Sequence, residues 1–321
     1  MSALQKIGIA VFTAALASAC SSSEQEAVGT TRQAIVRGEP STEAEDAVVV
    51  LAADNDVVCT GTLIAPNAVL TARHCFTELE TLVGPCTGKF TPVQTHVFLK
   101  VVVGKQPDLT KHVAKAARVI SSGNAVLCGH DLAVLMLDGP VPDAKLAKVR
   151  ITAPKVDEAA RVVGYGVDEN EKVQGRRARN TKVELLGPLR PVFKGASGDT
   201  IYFIDEREFS TGEGACGGDS GGPVFDGKGQ VMGVVSRAVN GVCNGAPVVN
   251  VSTAAHTDVL RQALEQAGLD PNQVLSTEEP QTTEDKGCAQ APRGASSNSA
   301  LMAMGALALL ALGRRRRSKQ R

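Results

Sequence analysis

The sequence has no tryptophan, two tyrosines and eight phenylalanines, so aromatic residues make up only 3 % of its 321 positions. A core built without large rings has to rest on Val, Leu, Ile and Ala. Excess charge of either sign is missing as well, with 34 Lys and Arg against 34 Asp and Glu. A balanced chain offers no overall basic surface to a nucleic acid. Nor is there an apolar run of the roughly 20 residues that a comfortable membrane span requires. The 43 % apolar content is ordinary for a globular protein, which excludes a wholly disordered chain and a multi-span membrane protein. No Cys-x-x-Cys pair occurs among the eight cysteines, and that counts against a metal site.

What is present starts at the two ends. Lys6, an apolar run from Ile7 to Ala19, then Cys20 and Ser21 to Ser23 read as a secretory signal over residues 1–19. Ala17-Ser18-Ala19 suits ordinary signal peptidase, while small residues before Cys20 resemble a bacterial lipobox. Such boxes carry Leu three before the Cys; here Leu16 stands four before it. Cys20 therefore either begins the exported product or carries a lipid. At the far end, Cys288, a polar spacer, an apolar stretch from Ala300 to Leu312 and Arg314 to Arg317 follow one another. The basic cluster stays cytoplasmic by the positive-inside rule, leaving everything upstream outside. This order resembles the C-terminal sorting signals of myxobacterial surface proteins, which implies processing at Cys288 and loss of the helix. A permanent tail anchor over 300–321 is the alternative. Both put the intervening chain where cysteines can pair.

Between the ends, residues 20–34 form a leader, 35–269 a globular region and 270–299 a polar linker without hydrophobic periodicity. The globular region consists of short Val-rich runs cut by Gly, Pro, Asn and Asp. These are 47–52, 63–70, 97–103, 132–137, 161–167, 230–236 and 247–251. Short β-branched runs with frequent turn signals predict an all-β barrel or sandwich. One helix is expected over Thr257–Gly268, where Val259, Leu260, Ala263, Leu264 and Ala267 share a face.

Three strings carry the chemistry: Thr71-Ala72-Arg73-His74-Cys75, Asp131-Leu132-Ala133-Val134-Leu135-Met136-Leu137, and Gly218-Asp219-Ser220-Gly221-Gly222-Pro223-Val224. A serine hydroxyl is a poor nucleophile at its own pKa and needs a base to take its proton. That base needs a carboxylate to fix its tautomer and stabilise its cation. Glycines beside the serine let backbone N–H groups approach a developing oxyanion. His96, His112, His130 and His256 lack such a setting and read as surface or structural.

With these residues, 35–269 resembles a trypsin/chymotrypsin-type serine protease. Gly164-Tyr165-Gly166 and Cys59-Thr60-Gly61-Thr62-Leu63-Ile64 are further marks of that likeness. The resemblance implies two six-stranded antiparallel β-barrels with a C-terminal helix and a cleft between the barrels. It implies His74 as general base, Asp131 as its orienting carboxylate and Ser220 as nucleophile. The N–H groups of Gly218 and Ser220 would form the oxyanion hole. It implies disulfides Cys59–Cys75 and Cys216–Cys243; Cys86 and Cys128 are left over to pair with each other. Gly214, Ser236, Ala238 and Val248 map onto the specificity pocket, as a shallow apolar slot for a small aliphatic residue. Arg237 stands where the family carries an aromatic. No cysteines brace the stretch from Asp199 to Gly214, which is expected to be looser. Ile35-Val36-Arg37-Gly38 resembles the new N-terminus of an activated zymogen, whose amine would pair with Asp219. No cofactor or metal is implied, and the partners are protein or peptide substrates and an activating protease. An idle protease-like binding or adhesion module, and an esterase, are the competing functional classes.

Overall fold

The structure is a computed structural model that describes residues 35, 37–80, 86, 88–94, 99–167, 175–195 and 198–278. The signal and leader expected over 1–34, and everything after 278, lie outside the described residues. Six strands close the first barrel. They are β1 (Val48–Ala53), β2 (Asp56–Ala65), β3 (Ala68–Thr71), β4 (Lys100–Val102), β5 (Ala114–Ser121) and β6 (Ala133–Leu137), in the order β1-β2-β3-β6-β5-β4. Six more build the second. They are β7 (Ala159–Gly164), β8 (Arg177–Leu186), β9 (Glu208–Thr211), β10 (Pro223–Asp226), β11 (Val231–Ala238) and β12 (Val248–Ser252). Their order is β10-β7-β8-β9-β12-β11, and β11 pairs back with β10 to close it. Neighbouring strands in both barrels are antiparallel. The expected architecture of two six-stranded barrels is the observed one.

Burial explains which strands the sequence pattern revealed. β6 and β12 are buried along their whole length; Ala, Val, Leu and Met fill β6, while β12 carries Asn250 and Ser252 among its valines. The run read as one strand over 63–70 is a hairpin, because Pro66 and Asn67 turn the chain between β2 and β3. β8 was hidden by its charge. Its inward residues Ala178 and Val183 are fully buried, while Arg177, Arg179, Lys182 and Glu184 lie on the outer side. β5 is similar, with Lys115 and Arg118 among its small residues.

The helix α1 (Thr257–Gln266) buries Val259, Leu260, Ala263 and Leu264 against β5 and β6 of the first barrel. Gly268, at φ 81°, lies just beyond its end. The chain does not loosen into a linker at Asp270. Asp270 caps a single turn, Pro271–Gln273, and Leu275–Ser276 then pairs in parallel with Val149–Arg150. Val274 and Leu275 are buried, so hydrophobic burial holds this stretch although its sequence lacks periodicity.

Three disulfides form: Cys59–Cys75, Cys86–Cys128 and Cys216–Cys243. The stretch from Asp199 to Gly214 is not left loose by its missing bridge. It completes a hairpin of Val192–Gly195 with Gly198–Ile201, and its Thr200 Oγ1 accepts from Asn240 Nδ2 at 2.7 Å. It then crosses Arg237, which donates to the Phe203 carbonyl at 3.0 Å and grips Glu208.

Candidate active site

β3 runs through Ala72 into the single turn Arg73–Cys75, which carries His74 into the space between the barrels. Arg73 stacks its guanidinium 4.2 Å from the Phe90 ring and donates to the Ser122 carbonyl at 3.2 Å, bracing that turn. Asp131 lies two residues before β6 and is fully buried. It accepts from three donors. The His74 backbone N–H reaches Oδ1 at 2.9 Å, His74 Nδ1 reaches Oδ2 at 2.7 Å, and Ser236 Oγ reaches Oδ2 at 2.6 Å. With the Nδ1 proton aimed at Asp131, Nε2 is left as an acceptor, which is the tautomer a general base requires. Burial works against the imidazolium, but the charge of Asp131 and its hydrogen bond outweigh it. They hold the His74 pKa above its ordinary value, with Arg237 pulling the other way.

Ser220 sits on a loop sewn to the first barrel. Its carbonyl accepts from the Thr60 N–H at 2.8 Å, and the next N–H, of Gly221, donates to the Val235 carbonyl at 2.8 Å. Gly221 has φ 81°, and a Cβ there would overlap Thr71 Oγ1 and the Thr60 carbonyl. Only glycine lets the serine loop lie this close to the histidine strand. The N–H groups of Gly218 and Ser220 meet no acceptor among the described residues, and neither does Ser220 Oγ. Two donors and a hydroxyl are thus unspent on the serine loop.

Asp219 is fully buried. Its carboxylate accepts from the N–H groups of Gly166 at 2.7 Å and Cys216 at 2.9 Å. Burial pushes its pKa up to about 7 against that help. The Gly-aromatic-Gly turn has its reason here, since a Cβ on Gly164 or Gly166 would overlap this carboxylate. Tyr165 between them is buried, and its one hydroxyl proton lies within reach of the Gly104 carbonyl at 2.8 Å and the Val48 carbonyl at 3.0 Å.

A family model described as Trypsin matches residues 35–260. The chain belongs to the trypsin family. It is 27 % identical over 225 residues to rat granzyme M, covering 64 % of this chain and 80 % of that protein. It is also 27 % identical over 228 residues to a trypsin of Saccharopolyspora erythraea, covering 68 % of this chain and 91 % of that one. Among solved structures, the serine protease neuropsin of mouse brain superposes with a TM-score of 0.51 at 17 % identity. That match covers 71 % of this chain and 99 % of neuropsin.

Within this trypsin-family domain a cleft of about 720 Å³ opens at Ser220. Ser236 and Ala238 line it, together with Ala215, Val235 and Val249. Gly214 and Val248 fall outside that lining. Val248 is buried in a core cluster with Ile35, and a Cβ on Gly214 would meet Arg179 and Ile35 rather than the cleft. His74 borders a second hollow of about 240 Å³, with Val58, Cys59, Thr77 and Leu79. Cys59, His74 and Cys75 lie close enough to suggest a metal site, but both sulfurs are consumed in the Cys59–Cys75 disulfide. His256 is buried with Nε2 2.7 Å from the Gly129 carbonyl, and His130 packs edge-on against it at 5.8 Å. Glu208, the buried partner of Arg237, had no mark in the sequence. It is one of four charged residues in a row, Asp205-Glu206-Arg207-Glu208, and only pairing tells which one turns inward.

Proposed function

We propose that the protein is an exported serine endopeptidase that cleaves peptide bonds through an acyl-enzyme on Ser220. What supports this most is one arrangement. A buried, triply hydrogen-bonded Asp131 orients His74 beside a serine loop with two unspent backbone donors. Ser220 Oγ attacks the substrate carbonyl carbon and its proton passes to His74 Nε2. The carbonyl oxygen, now an anion, settles on the N–H groups of Gly218 and Ser220. His74 returns the proton to the leaving amine, the C–N bond breaks, and water repeats the cycle on the ester. A hydroxyl that is unpaired without substrate fits this scheme, because catalytic hydrogen bonds tighten in the substrate complex. A fluorophosphonate should label the chain cut before Ile35 on Ser220, with loss of fluoride, and spare the same cut form of Ser220→Ala. Equal labelling of both would overturn the assignment.

Export follows from the secretory signal and fits the three disulfides, which form and persist outside the reducing cytoplasm. Among the described residues no helix is long and apolar enough to cross a membrane. Attachment of the cut chain to the cell surface rests on the signal at Cys288, because any lipid on Cys20 leaves with the leader.

The specificity pocket, lined by Ser236 and Ala238 and not by Gly214 or Val248, favours Ala or Val before the cut. The cleft lining contains no carboxylate among the described residues, and Ala215, Val235, Ala238 and Val249 make it apolar. An unpaired Lys or Arg side chain buried there would lose its hydration without a partner. Peptide-library profiling should therefore show Ala or Val ahead of Lys by roughly a hundredfold. A profile dominated by Arg or Lys would remove the pocket assignment.

The acidic limb of the pH–rate profile reports His74, which must be neutral to accept the serine proton. Because Asp131 raises its pKa, activity should rise with pH through a midpoint above the ordinary histidine value of 6.5. Measuring kcat/KM against pH for wild type and Asp131→Asn checks this. The variant's midpoint should fall below that of the wild type, and an unchanged midpoint would contradict the coupling.

A further inference from the structure

The strand β11 ends in Ser236-Arg237-Ala238, and all three residues line the cleft. Ser236 turns back to Asp131. Arg237 meets Glu208 in a two-point fork, Nη1 to Oε1 at 2.7 Å and Nη2 to Oε2 at 2.9 Å. The two partners are unequally placed. The Glu208 side chain is 0 % exposed and the Arg237 side chain 25 %. Glu208 is also saturated from behind, by the Gly129 N–H at 2.8 Å and the Asp205 N–H at 2.9 Å. It has nothing left to offer a ligand. Arg237 keeps one donor free, since its Nε–H has no partner among the described residues while both Nη groups are engaged.

Arg237 is the only charged residue lining the cleft among the described residues, and Leu127, Ile201 and Phe203 stand near it in the wall. The ion pair is therefore a dipole set into an apolar wall. Its negative end is hidden behind the surface and its positive end faces the cavity. Such a wall screens the field poorly, so a carboxylate entering here gains and an ammonium group loses. The guanidinium is also held rigid. Glu208, the Phe203 carbonyl and Ser236 Oγ fix its plane, so little side-chain entropy remains to be lost on binding.

We propose that Arg237 is a specificity-determining residue: its free Nε–H takes a carboxylate on the substrate chain two to four residues before the cut, and Glu208 holds the guanidinium in position. The inference rests on the proteolytic reading above. It adds an acidic requirement to a primary pocket that takes small apolar residues. The favoured substrates are protein segments with Asp or Glu shortly before an Ala or Val.

The test uses protein cut before Ile35, the form expected to label with a fluorophosphonate. Fluorogenic peptides carry Ala before the cut and Asp, Asn or Lys at each of the three preceding positions. At one of them the Asp peptide should exceed its Asn isostere roughly tenfold in kcat/KM, mostly through KM, and the Lys peptide should rank last. The preference should shrink as salt is raised from low to physiological ionic strength. Removing Arg237 alone would leave Glu208 buried without a cation, so the informative variant is Arg237→Met combined with Glu208→Gln. Within that variant the Asp-to-Asn ratio should fall to about one. A ratio near one in the wild type, or a tenfold ratio kept by the variant, overturns the proposal while leaving the proteolytic reading intact. A wild type that labels with no fluorophosphonate removes both.

Discussion

Ser220→Ala should lower peptide turnover by roughly four to six orders of magnitude, and His74→Ala should do nearly the same. The two losses should not add. The histidine matters because it takes the serine proton, and without that hydroxyl a base beside the site has nothing to activate. A double variant should therefore be about as slow as either single one. Some acceleration over water should survive, because the Gly218 and Ser220 N–H groups remain to receive the oxyanion. Neither substitution removes a residue of a core cluster, and both side chains are only partly buried. Thermal melts of the variants should therefore match the wild type closely. Initial-rate kinetics on an Ala-containing fluorogenic peptide measure the effect. Retention of most activity by Ser220→Ala would defeat the mechanism outright.

Cutting the chain between Ala34 and Ile35 should switch it from silent to active. Asp219 is the reason. In the uncut chain its carboxylate has two backbone N–H groups and no cation among the described residues, and its pKa stands at about 7 against an ordinary 3.8. Between those two values the folded chain holds a proton that the unfolded chain has released. Stability therefore falls as pH rises through that window, by on the order of 4 kcal/mol in full. Ile35 is in place to relieve this. Its side chain is fully buried against Ala215 and Val248, and Arg37 two residues on pairs with Glu213 at 2.9 Å. Its φ of 46° is strained for a β-branched residue, and cutting the preceding peptide bond abolishes that torsion. We propose that the freed amine supplies the cation that Asp219 lacks. Pairing would lower the carboxyl pKa again and raise that of the amine above about 8, so the amine's stabilising share is present below that pH and lost above the raised value. The melting temperatures of cut and uncut protein should diverge as pH rises from 4 to 7. Arg32 lies two residues before the required bond, so cleavage after it should not activate. N-terminal sequencing of active material decides the matter: full activity in a chain beginning at Cys20 would sink the scheme.

Much of this site was legible in the primary structure because its parts are local. His74 needs a turn after a buried strand, Asp131 a buried strand after it, and Ser220 a run of glycines. Each of these leaves a mark within a few residues. The buried strands and the one-sided helix were legible for the same reason, since burial on a fixed period is written residue by residue. β8 and β5 were not, because outward Arg and Lys dilute an inward face made of small residues. The stretch 270–276 was missed because a few buried contacts hold it, without a repeat.

Taken alone, the sequence determined an all-β barrel or sandwich, the order His, Asp, Ser and the chemistry those side chains can perform; the two-barrel form was implied by the family resemblance. Tertiary structure alone decided which of the charged residues face each other. Nothing near Arg237 in the chain names Glu208 as its partner, and nothing near Gly164 explains why a glycine must stand there. Those answers belong to strand pairing, which brings β11 and β9 to either side of β12, and β7 against β10 beside the Asp219 loop. A side chain's burial leaves a local trace in its own neighbours. The identity of a partner 29 or 53 residues away leaves none, because it depends on how the barrels close.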